Sequence, residues 1–382
     1  MARIAYVLTQ DRGGPVDVTT RLAHTIIGAG DHEVRVFAPR PARDAGLLGE
    51  HHETVVFGRK GDLGSAHELR ARIRAWHPDI VHAQDRRAGL ALMGLDSARR
   101  HVRGILHTYH GVPDDVSEQW FRSAAGGSAP SRYTRAVLTG DAVVARGVDL
   151  TVAPSETMAR FLRSRLKVPR HKLIHIDNGV ALPVAAPGSG PVRKLIFVGL
   201  LVPRKALGDL LAALATPGVM PADATLTVAG DGPQRAELEA RAAAGPLAGR
   251  VEFLGFREDV ADLLTAHDAL VLPSHMEQQP LVIAEAMGAG KPVVATDTGG
   301  VAEMLAVPGT TPYLATPGSV PELAEQLRRL FADGRPGQLG QAYAHYARGR
   351  FDREVVARKH LDLYAELIDR RGRAPIADRR TG

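Results

Sequence analysis

ALVLPSHMEQQPLVIAEAMGAG occupies residues 269–290. Its first four residues form an apolar run that predicts a buried strand. Pro280 suits the first turn of a helix that follows, and Gly290 suits the end of that helix. The polar loop between strand and helix would then begin at the carboxyl end of a strand, which is where open parallel sheets bind ligands. Residues just after the other predicted strands are candidates for the same reason.

The same order of strand, loop and helix recurs along the chain. Amphipathic segments such as Val16–Gly28 and Ala66–Trp76 separate short apolar runs. This alternation indicates parallel sheets with helices on both faces. The predicted strands are Ile4–Leu8, Glu33–Ala38, Ile80–Ala83, Gly104–Thr108, Leu150–Ala153, Leu195–Val198, Thr225–Ala229, Val251–Leu254, Ala269–Leu272 and Pro292–Ala295.

A break at residues 183–191 divides this pattern in two. The segment from Leu182 to Pro191 is rich in Pro, Gly and small residues, as linkers are. We therefore expect an α/β protein with two Rossmann-like, doubly wound parallel-sheet domains that face each other across a ligand-binding cleft. The expected domains span residues 1–183 and 190–350. A last helix within 351–372, predicted from Arg353 to Asp369, would pack across the junction.

Composition narrows the classes of function. The 382 residues, 45% of them hydrophobic, suit two domains of ordinary size. The absence of cysteine excludes disulfides, thiol nucleophiles and Cys-ligated zinc. No run approaches the ~18 apolar residues of a membrane helix, and the N-terminus lacks the pattern of a secretory signal. We expect a cytoplasmic protein without a membrane span.

The charge leaves two interpretations open. The net charge is +6 and the pI is about 9.7. A basic surface attracts nucleic acid, anionic lipid or a phosphorylated substrate. The alternative is an Arg- and Ala-rich composition with solvated helix faces. No helix-turn-helix pattern, RNA-binding aromatic motif or long basic run supports nucleic acid, so we expect no nucleic-acid partner and leave weak peripheral membrane contact open.

Two glutamates flank the predicted start of the helix at Pro280. Glu277 precedes the helix, and Glu285 lies about a turn and a half inside it. The helix N-terminus would present unpaired N–H groups to the cleft, which suits a phosphate. Each carboxylate can accept hydrogen bonds from vicinal hydroxyls of a ribose or hexose. The alternative is an ordinary helix with two solvated glutamates.

A basic loop follows another predicted strand. Gly199 ends that strand, and Arg204 and Lys205 follow within one loop. The planar fork of Arg and the compact charge of Lys together suit a diphosphate. A basic pair on an ordinary surface loop is the alternative.

The loop after the first strand contains Gly13 and Gly14. Paired glycines let the backbone approach a ligand, and Pro15 can open the next helix. The loop lacks the full spacing of a dinucleotide-binding motif. By itself it therefore does not identify a dinucleotide-binding site.

Histidines are numerous, and two of them lie in or just after the predicted strand Gly104–Thr108. His110, beside a glycine, could donate a hydrogen bond to a sugar or a leaving group. His107, inside the strand pattern, is expected to be a core histidine with its hydrogen bonds satisfied. His51-His52-Glu53 suggests a solvated loop. No His, Asp or Glu cluster has the spacing of metal ligands, so no metal site is predicted.

Together these segments resemble the retaining glycosyltransferases of family 4, which have the GT-B fold. The two glutamates with seven residues between them match the family's signature, and the Gly13-Gly14 loop, His110 and Asn178-Gly179-Val180 match upstream. The resemblance covers nearly the whole chain and is strongest between residues 195 and 305. It rests there on FVGLLVPRKALGDLLAAL, LTVAGDGPQRAELE, VEFLGF and LVLPSHMEQQPLVIAEAMGAGKPVVATDTGGVAEML.

The resemblance implies that the N-terminal domain holds the acceptor and the second domain holds a nucleotide-sugar. Glu285 would bind the ribose hydroxyls, Glu277 would hold the donor sugar, and Lys205 with Arg204 would neutralise the departing diphosphate. The residues implied in catalysis are His110, Arg204, Lys205 and Glu277. Those implied in donor binding are Gly13, Gly14, Gly199, Gln279, Pro280, Leu281, Val282 and Glu285.

The resemblance also implies a reaction. A hexosyl or N-acetylhexosaminyl group would pass from a nucleoside-diphosphate sugar to an acceptor hydroxyl, which attacks the face that the diphosphate leaves. The leaving phosphate oxygen would take the proton of the acceptor, and preorganised cations and amides would stabilise the diphosphate charge. The sequence has no Asp-x-Asp at a strand end to hold a cation. We therefore expect neither a metal nor another cofactor.

Three positions depart from the family pattern. Leu200 replaces the usual Arg after the glycine, Ala206 replaces Gly after Lys205, and Gln278 replaces Gly after the first glutamate. They could indicate an unusual donor. The sequence does not identify the acceptor, which we expect to be a small molecule, a natural product or an envelope precursor. A non-catalytic two-domain sugar-binding protein and a nucleotide-sugar epimerase of the same fold are the alternatives.

Overall fold

The computed structural model describes residues 1–57, 63–93, 95, 102–122 and 127–372. Strands and helices alternate throughout these ranges. The strands are β1 Arg3–Val7, β2 Glu33–Ala38, β3 His52–Thr54, β4 Ile80–Ala83, β5 Gly104–Thr108, β6 Leu150–Ala153, β7 Leu173–His175, β8 Lys194–Val198, β9 Thr225–Ala229, β10 Val251–Gly255, β11 Ala269–Leu272, β12 Val293–Thr296 and β13 Tyr313–Ala315.

Helices connect these strands. The α-helices are α1 Gly14–Ala29, α2 Leu63–Trp76, α3 Arg86–Leu92, α4 Glu118–Arg122, α5 Arg132–Gly147, α6 Glu156–Ser164, α7 Leu207–Ala215, α8 Arg235–Ala243, α9 Val260–Ala266, α10 Leu281–Gly288, α11 Val301–Leu305, α12 Val320–Ala332, α13 Pro336–Arg350 and α14 Arg353–Gly372. No helix within the described ranges is both long enough and apolar enough to cross a membrane.

Two parallel sheets confirm the predicted fold class. The first has seven strands in the order β3-β2-β1-β4-β5-β6-β7, and the second has six in the order β10-β9-β8-β11-β12-β13. In each sheet the order reverses beside the first strand of the domain, at β1/β4 and at β8/β11. Loops that leave such a reversal on opposite sides open a crevice at the carboxyl edge of the sheet. The crevices of the two domains position the site described below.

Each sheet has its own hydrophobic core. The central strands are buried on both faces, as Ile4, Tyr6 and Val7 of β1 and Leu195, Ile196 and Phe197 of β8 illustrate. A strand covered on both faces reads as a continuous apolar run, which is why the sequence revealed these strands.

The chain passes between the two domains twice, side by side. The Val180 N–H donates to Phe351 O at 2.9 Å, and the Arg353 N–H donates to Val180 O at 3.0 Å. From this crossing α14 runs back over the first domain, and its Val356, Leu363 and Tyr364 are buried in that domain's core. The last helix thus starts at the junction and lies mainly on the first domain.

All ten predicted strands are present, and the structure has three further short strands that the sequence pattern did not predict. These are β3, β7 and β13, each of three residues. The interpretation of His51-His52-Glu53 as a solvated loop is wrong, because His52 and Glu53 pair with β2 as an edge strand. An edge strand of three residues is too short to show an apolar run or an alternating pattern. Pro280 also differs slightly from expectation: it immediately precedes α10, whose first residue is Leu281.

Candidate active site

The loops after β1, β5, β8 and β11 meet in the cleft between the sheets. They enclose a compartment of about 510 Å³, which we call the first compartment. Helix α1 forms one wall and the start of α10 the other. Of the predicted site residues, those that line it are Gly14, His110, Gly199, Arg204, Lys205, Glu277, Gln279, Pro280 and Leu281.

A buried ion pair joins two of the predicted catalytic residues. Lys205 Nζ donates to Glu277 Oε1, and the Ser274 hydroxyl donates to the same oxygen at 2.8 Å. The Glu277 side chain is only 9% exposed, and that of Lys205 15%. A cation and a carboxylate held together at a strand end can each turn to a ligand, because a diphosphate satisfies the first and hydroxyls satisfy the second.

The neighbouring cation is more exposed. Half of the Arg204 side chain is open to solvent, and its Nη1 lies 3.5 Å from Asp114 Oδ1 of the first domain. Leu200, at the position where the family usually has Arg, lines the same compartment and is 58% exposed. Arg204 therefore supplies a positive charge to a compartment in which Leu200 occupies the position of the usual arginine.

His110 is a neutral imidazole held by a buried amide. Its Nε2 donates to Gln84 Oε1 at 2.9 Å. Burial, with smaller contributions from His107 and His360, lowers the pKa of His110 to about 3. With the amide of Gln84 in this orientation, Nε2 carries the proton and Nδ1 of the neutral ring is left as an acceptor, whereas the sequence had suggested a donor.

His107 is buried as predicted but is not satisfied as predicted. Burial, and secondly the charge of Arg86, lowers its pKa to about 3. Its Nδ1 has no hydrogen-bond partner among the described residues. The side chain lies inside the sheet of the first domain, and it does not line either compartment of the cleft.

A second compartment of about 660 Å³ continues along the same two helices and contains Glu285. Burial raises the pKa of Glu285, and the nearby charge of Arg21 opposes that rise. Arg21 Nη1, from α1 across the cleft, lies 3.8 Å from Glu285 Oε1. Phe256 is half exposed here, and the guanidinium of Arg43 lies 4.3 Å from its ring centroid.

The side chain of Gln279 is occupied, which leaves its backbone for a ligand. Its Oε1 accepts from the Asn178 N–H at 2.5 Å, and its Nε2 donates to Asp177 Oδ1 at 2.8 Å. Arg350 holds the same Asp177 through both carboxylate oxygens. At the start of α10, helix geometry leaves the first amides without an intrahelical partner, beside the first compartment.

Two predicted donor-binding residues do not line either compartment. Gly13 immediately precedes α1 with a φ of 101°, a backbone conformation that favours glycine. It thereby sets the direction in which Gly14 and α1 enter the cleft. Val282 lies half-buried on α10, between Leu281 of the first compartment and Glu285 of the second.

Sequence reasoning missed four residues of this cleft. Arg21 was detectable, because it lies seven residues after Gly14 on the same face of α1. Phe256 was detectable as well, since it follows a strand end. Gln84 was detectable for the same reason, because it follows the predicted strand Ile80–Ala83. Arg43 had no local signal, because only the fold brings it to Phe256. Within the described ranges, no three His, Asp or Glu side chains are grouped so that they could hold a metal ion.

Comparisons with known proteins find similar sequences in both halves of the chain. The family model described as glycosyltransferase family 4 matches residues 12–182, and the one described as glycosyl transferases group 1 matches residues 192–333. Glycogen synthase of Mycobacterium tuberculosis is 30% identical over 310 residues, which is 78% of this chain and 71% of that protein. D-inositol 3-phosphate glycosyltransferase of Salinispora tropica is 28% identical over 94% of this chain and 82% of its own length.

Solved structures support the fold independently. Anabaena Alr3699/HepE, in complex with UDP and glucose, superposes with a TM-score of 0.75 at 23% identity, over 96% of this chain and all of the other. Sucrose-phosphate synthase from Thermosynechococcus elongatus also gives 0.75, at 22% identity, over 97% of this chain and all of the other. The two opposed parallel sheets, the two matched family models and the Mycobacterium relative lead to one conclusion: the chain belongs to glycosyltransferase family 4, the glycosyl transferases group 1, and has the GT-B fold.

Proposed function

We propose that this protein transfers a hexosyl or N-acetylhexosaminyl group, with retention of configuration, from a nucleoside-diphosphate sugar to an acceptor hydroxyl. The observation that carries the proposal is the Lys205–Glu277 ion pair in the first compartment, with Glu285 further along α10 in the second. A cation and a carboxylate in one compartment and a second carboxylate in the next match a donor whose sugar and diphosphate occupy the first compartment and whose ribose occupies the second.

The donor would span both compartments. Glu285 would accept hydrogen bonds from the ribose hydroxyls, and the base would lie against the exposed face of Phe256. The diphosphate would meet Lys205, Arg204 and the first amides of α10, where a helix N-terminus favours negative charge. The sugar would lie between Glu277 and His110, whose Nδ1 would accept from a sugar hydroxyl. UDP-glucose is the first donor to test, because UDP and glucose are bound in the Anabaena relative of the same fold.

The chemistry would need little beyond charge stabilisation. As the glycosidic bond to the diphosphate breaks, negative charge grows on the phosphate oxygen, and Lys205 leaves Glu277 to stabilise it. The acceptor oxygen attacks the anomeric carbon from the same face, and its proton passes to the leaving phosphate oxygen. His110, with its pKa lowered to about 3, stays neutral and orients the sugar without exchanging a proton.

The acceptor would bind on the first domain. Val112, Pro113 and Asp114 border the first compartment on that side, and residues 123–126, further along the same segment, lie outside the described residues. The named relatives act on quite different acceptors. We therefore propose a small molecule, a natural product or an envelope precursor as the acceptor class.

One reaction tests the proposal. The protein would be screened for thermal stabilisation by UDP, GDP and ADP, and then incubated with the matching nucleotide-sugar, an acceptor panel and excess chelator. We expect transfer to persist without divalent metal, and the anomeric proton coupling of the product to equal that of the donor. Inverted product would contradict the same-face mechanism. If chelator abolishes the activity and only magnesium or manganese restores it, metal independence is wrong. If the protein binds the sugar without turnover, the proposal that it is an enzyme is wrong.

A further inference from the structure

A contact between the domains lies next to the proposed sugar site. Helix α4 of the first domain meets the loop of residues 297–300, which follows β12 of the second domain. Glu118 Oε1 accepts from the Gly299 N–H at 2.8 Å, and Glu118 Oε2 accepts from the Thr298 hydroxyl at 2.8 Å. Arg122 binds both carboxylate oxygens of Asp297, at 2.7 and 3.2 Å. We call this contact the α4 clasp.

The α4 clasp continues directly to Glu277. The Thr298 hydroxyl, which is fully buried, accepts from the Glu277 N–H at 3.2 Å while it donates to Glu118. Gly299, with a φ of +51°, packs so closely that a Cβ there would lie 1.6 Å from Glu277 O. A movement of this loop therefore moves the backbone of Glu277.

A second observation connects Glu277 to the same helix. Met276, the residue before Glu277, is buried in a hydrophobic cluster of the first domain together with Val116, Phe121 of α4 and Tyr109. The segment that contains Glu277 is thus held by the first domain on both sides. Apolar packing holds Met276, and hydrogen bonds through Thr298 hold the backbone of Glu277.

The bonds of Glu118 are of the strong kind. The side chain is only 13% exposed, it accepts from both a backbone amide and a hydroxyl, and Arg122 Nε also donates to it. Hydrogen bonds to an ionised carboxylate are about twice as strong as neutral ones. Breaking this group of contacts requires the two domains to separate locally.

We propose that Glu118 is a positioning residue, which places Glu277 for the donor sugar when the first domain docks. The inference rests on the proposed role of Glu277. The nucleotide end of the cleft does not take part, because Glu285 lies in the other compartment. The sugar half of the donor would consequently be bound only when the α4 clasp is formed. The nucleoside diphosphate could bind whether or not it is formed.

Glu303 provides a matched control. This carboxylate of α11 also crosses between the domains, where it accepts from the backbone N–H groups of Glu156 at 2.8 Å and Thr157 at 2.7 Å. It forms the same kind of contact with α6, and within the described part of the chain it has no hydrogen bond to Glu277. Glu303→Ala should weaken the interface without misplacing Glu277.

The experiment compares the binding of UDP with that of UDP-glucose by calorimetry, and turnover in parallel. For Glu118→Ala we expect an unchanged dissociation constant for UDP, within about twofold, loss of the extra affinity due to glucose, and turnover lower by about 10- to 100-fold. Glu118→Gln, which keeps one acceptor oxygen, should lose less. Thr298→Val preserves volume and should behave like Glu118→Ala, which covers the case that the alanine variant folds poorly.

The outcomes distinguish a failure of the positioning role of Glu118 from a failure of the proposed donor. If Glu118→Ala and Thr298→Val bind UDP-glucose and turn over like the wild type, the positioning role is wrong. Equal losses in Glu303→Ala would also contradict it, because closure in general would then be responsible. A wild-type protein that neither binds UDP-glucose nor transfers glucose from it would overturn the proposed use of this donor and, with it, the role of Glu118.

Discussion

Glu277 and Glu285 lie on one strand–loop–helix unit but have different surroundings. Glu277 is paired with Lys205. Glu285 is mostly buried, and its nearest cation is Arg21 of the opposite domain, at 3.8 Å. Burial raises the pKa of Glu285, and the charge of Arg21 only partly opposes that rise. The two carboxylates are therefore suited to different parts of a ligand.

Their substitution should separate binding from turnover. We expect Glu285→Ala to weaken nucleoside-diphosphate binding by roughly 1.5–3 kcal/mol, the scale of hydrogen bonds to a charged group. Glu277→Gln should mainly lower turnover, because the sugar is held less well while the nucleotide contacts remain. Calorimetry with the nucleotide and steady-state kinetics measure the two effects. Normal nucleotide affinity in Glu285→Ala would contradict the assignment to the ribose.

The two cations should also differ. Lys205→Ala should reduce turnover by about 10²-fold or more, because it removes a buried charge that stabilises the leaving diphosphate. Arg204→Ala should approach that loss only if Arg204 replaces the arginine that the family has in place of Leu200. Single-turnover rates at saturating donor are the measurement, with Arg328→Ala, a surface arginine of α12 that lines neither compartment, as a control. A near-silent Arg204→Ala would reject the compensation.

Among the elements, α14 connects the end of the described chain to the centre of the first sheet. The Tyr364 hydroxyl is fully buried, 3.0 Å from the Tyr6 hydroxyl of β1 and 2.7 Å from His82 Nδ1 of β4. His82 Nε2 forms a further hydrogen bond with the Thr108 hydroxyl of β5 at 2.8 Å. The helix is therefore part of the polar core beneath the first compartment.

Removing one hydroxyl should show this. Tyr364→Phe should lower the free energy of unfolding by about 1–3 kcal/mol, since it leaves His82 Nδ1 buried without its partner. Tyr6→Phe is the matched control, because it keeps the Tyr364–His82 bond and should cost less. Urea unfolding at neutral pH compares the two variants. Equal losses would mean that the helix is held by packing alone.

The whole molecule should be sensitive to mild acid. Burial lowers the pKa of His107 to about 3 and that of His360 to about 4, and it lowers the pKa of His82 well below its ordinary value. These imidazoles are neutral in the folded protein, but in the unfolded chain they take up protons as the pH falls below about 6.5. The unfolded state then binds more protons, so stability decreases as the pH falls from about 6.5 towards the folded-state values.

We expect His107 and His360 each to cost about 1 kcal/mol of stability at pH 5.5 relative to neutral pH. Urea midpoints at pH 7.5 and 5.5 measure the difference. His360→Gln, which cannot be protonated, should show a smaller drop than the wild type. A wild-type midpoint that is the same at both pH values would contradict the buried neutral state of these histidines.

The sequence determined the elements and the candidate loops. The β-strands that are buried on both faces appear as apolar runs, and the residues at their carboxyl ends, Gly14, His110, Gly199 and Glu277, could be selected because strand ends are where parallel sheets bind ligands. These are properties of neighbouring residues, and neighbouring residues are what a sequence displays.

Only the tertiary structure decided which of these residues meet. The Lys205–Glu277 pair joins residues 72 positions apart, and the contact of Glu118 with Gly299 joins residues 181 positions apart. The edge strands β3, β7 and β13 likewise exist only through their pairing with a neighbour. Contacts of this kind depend on how the sheets are ordered and how the domains face each other, and no local pattern of side chains encodes that geometry.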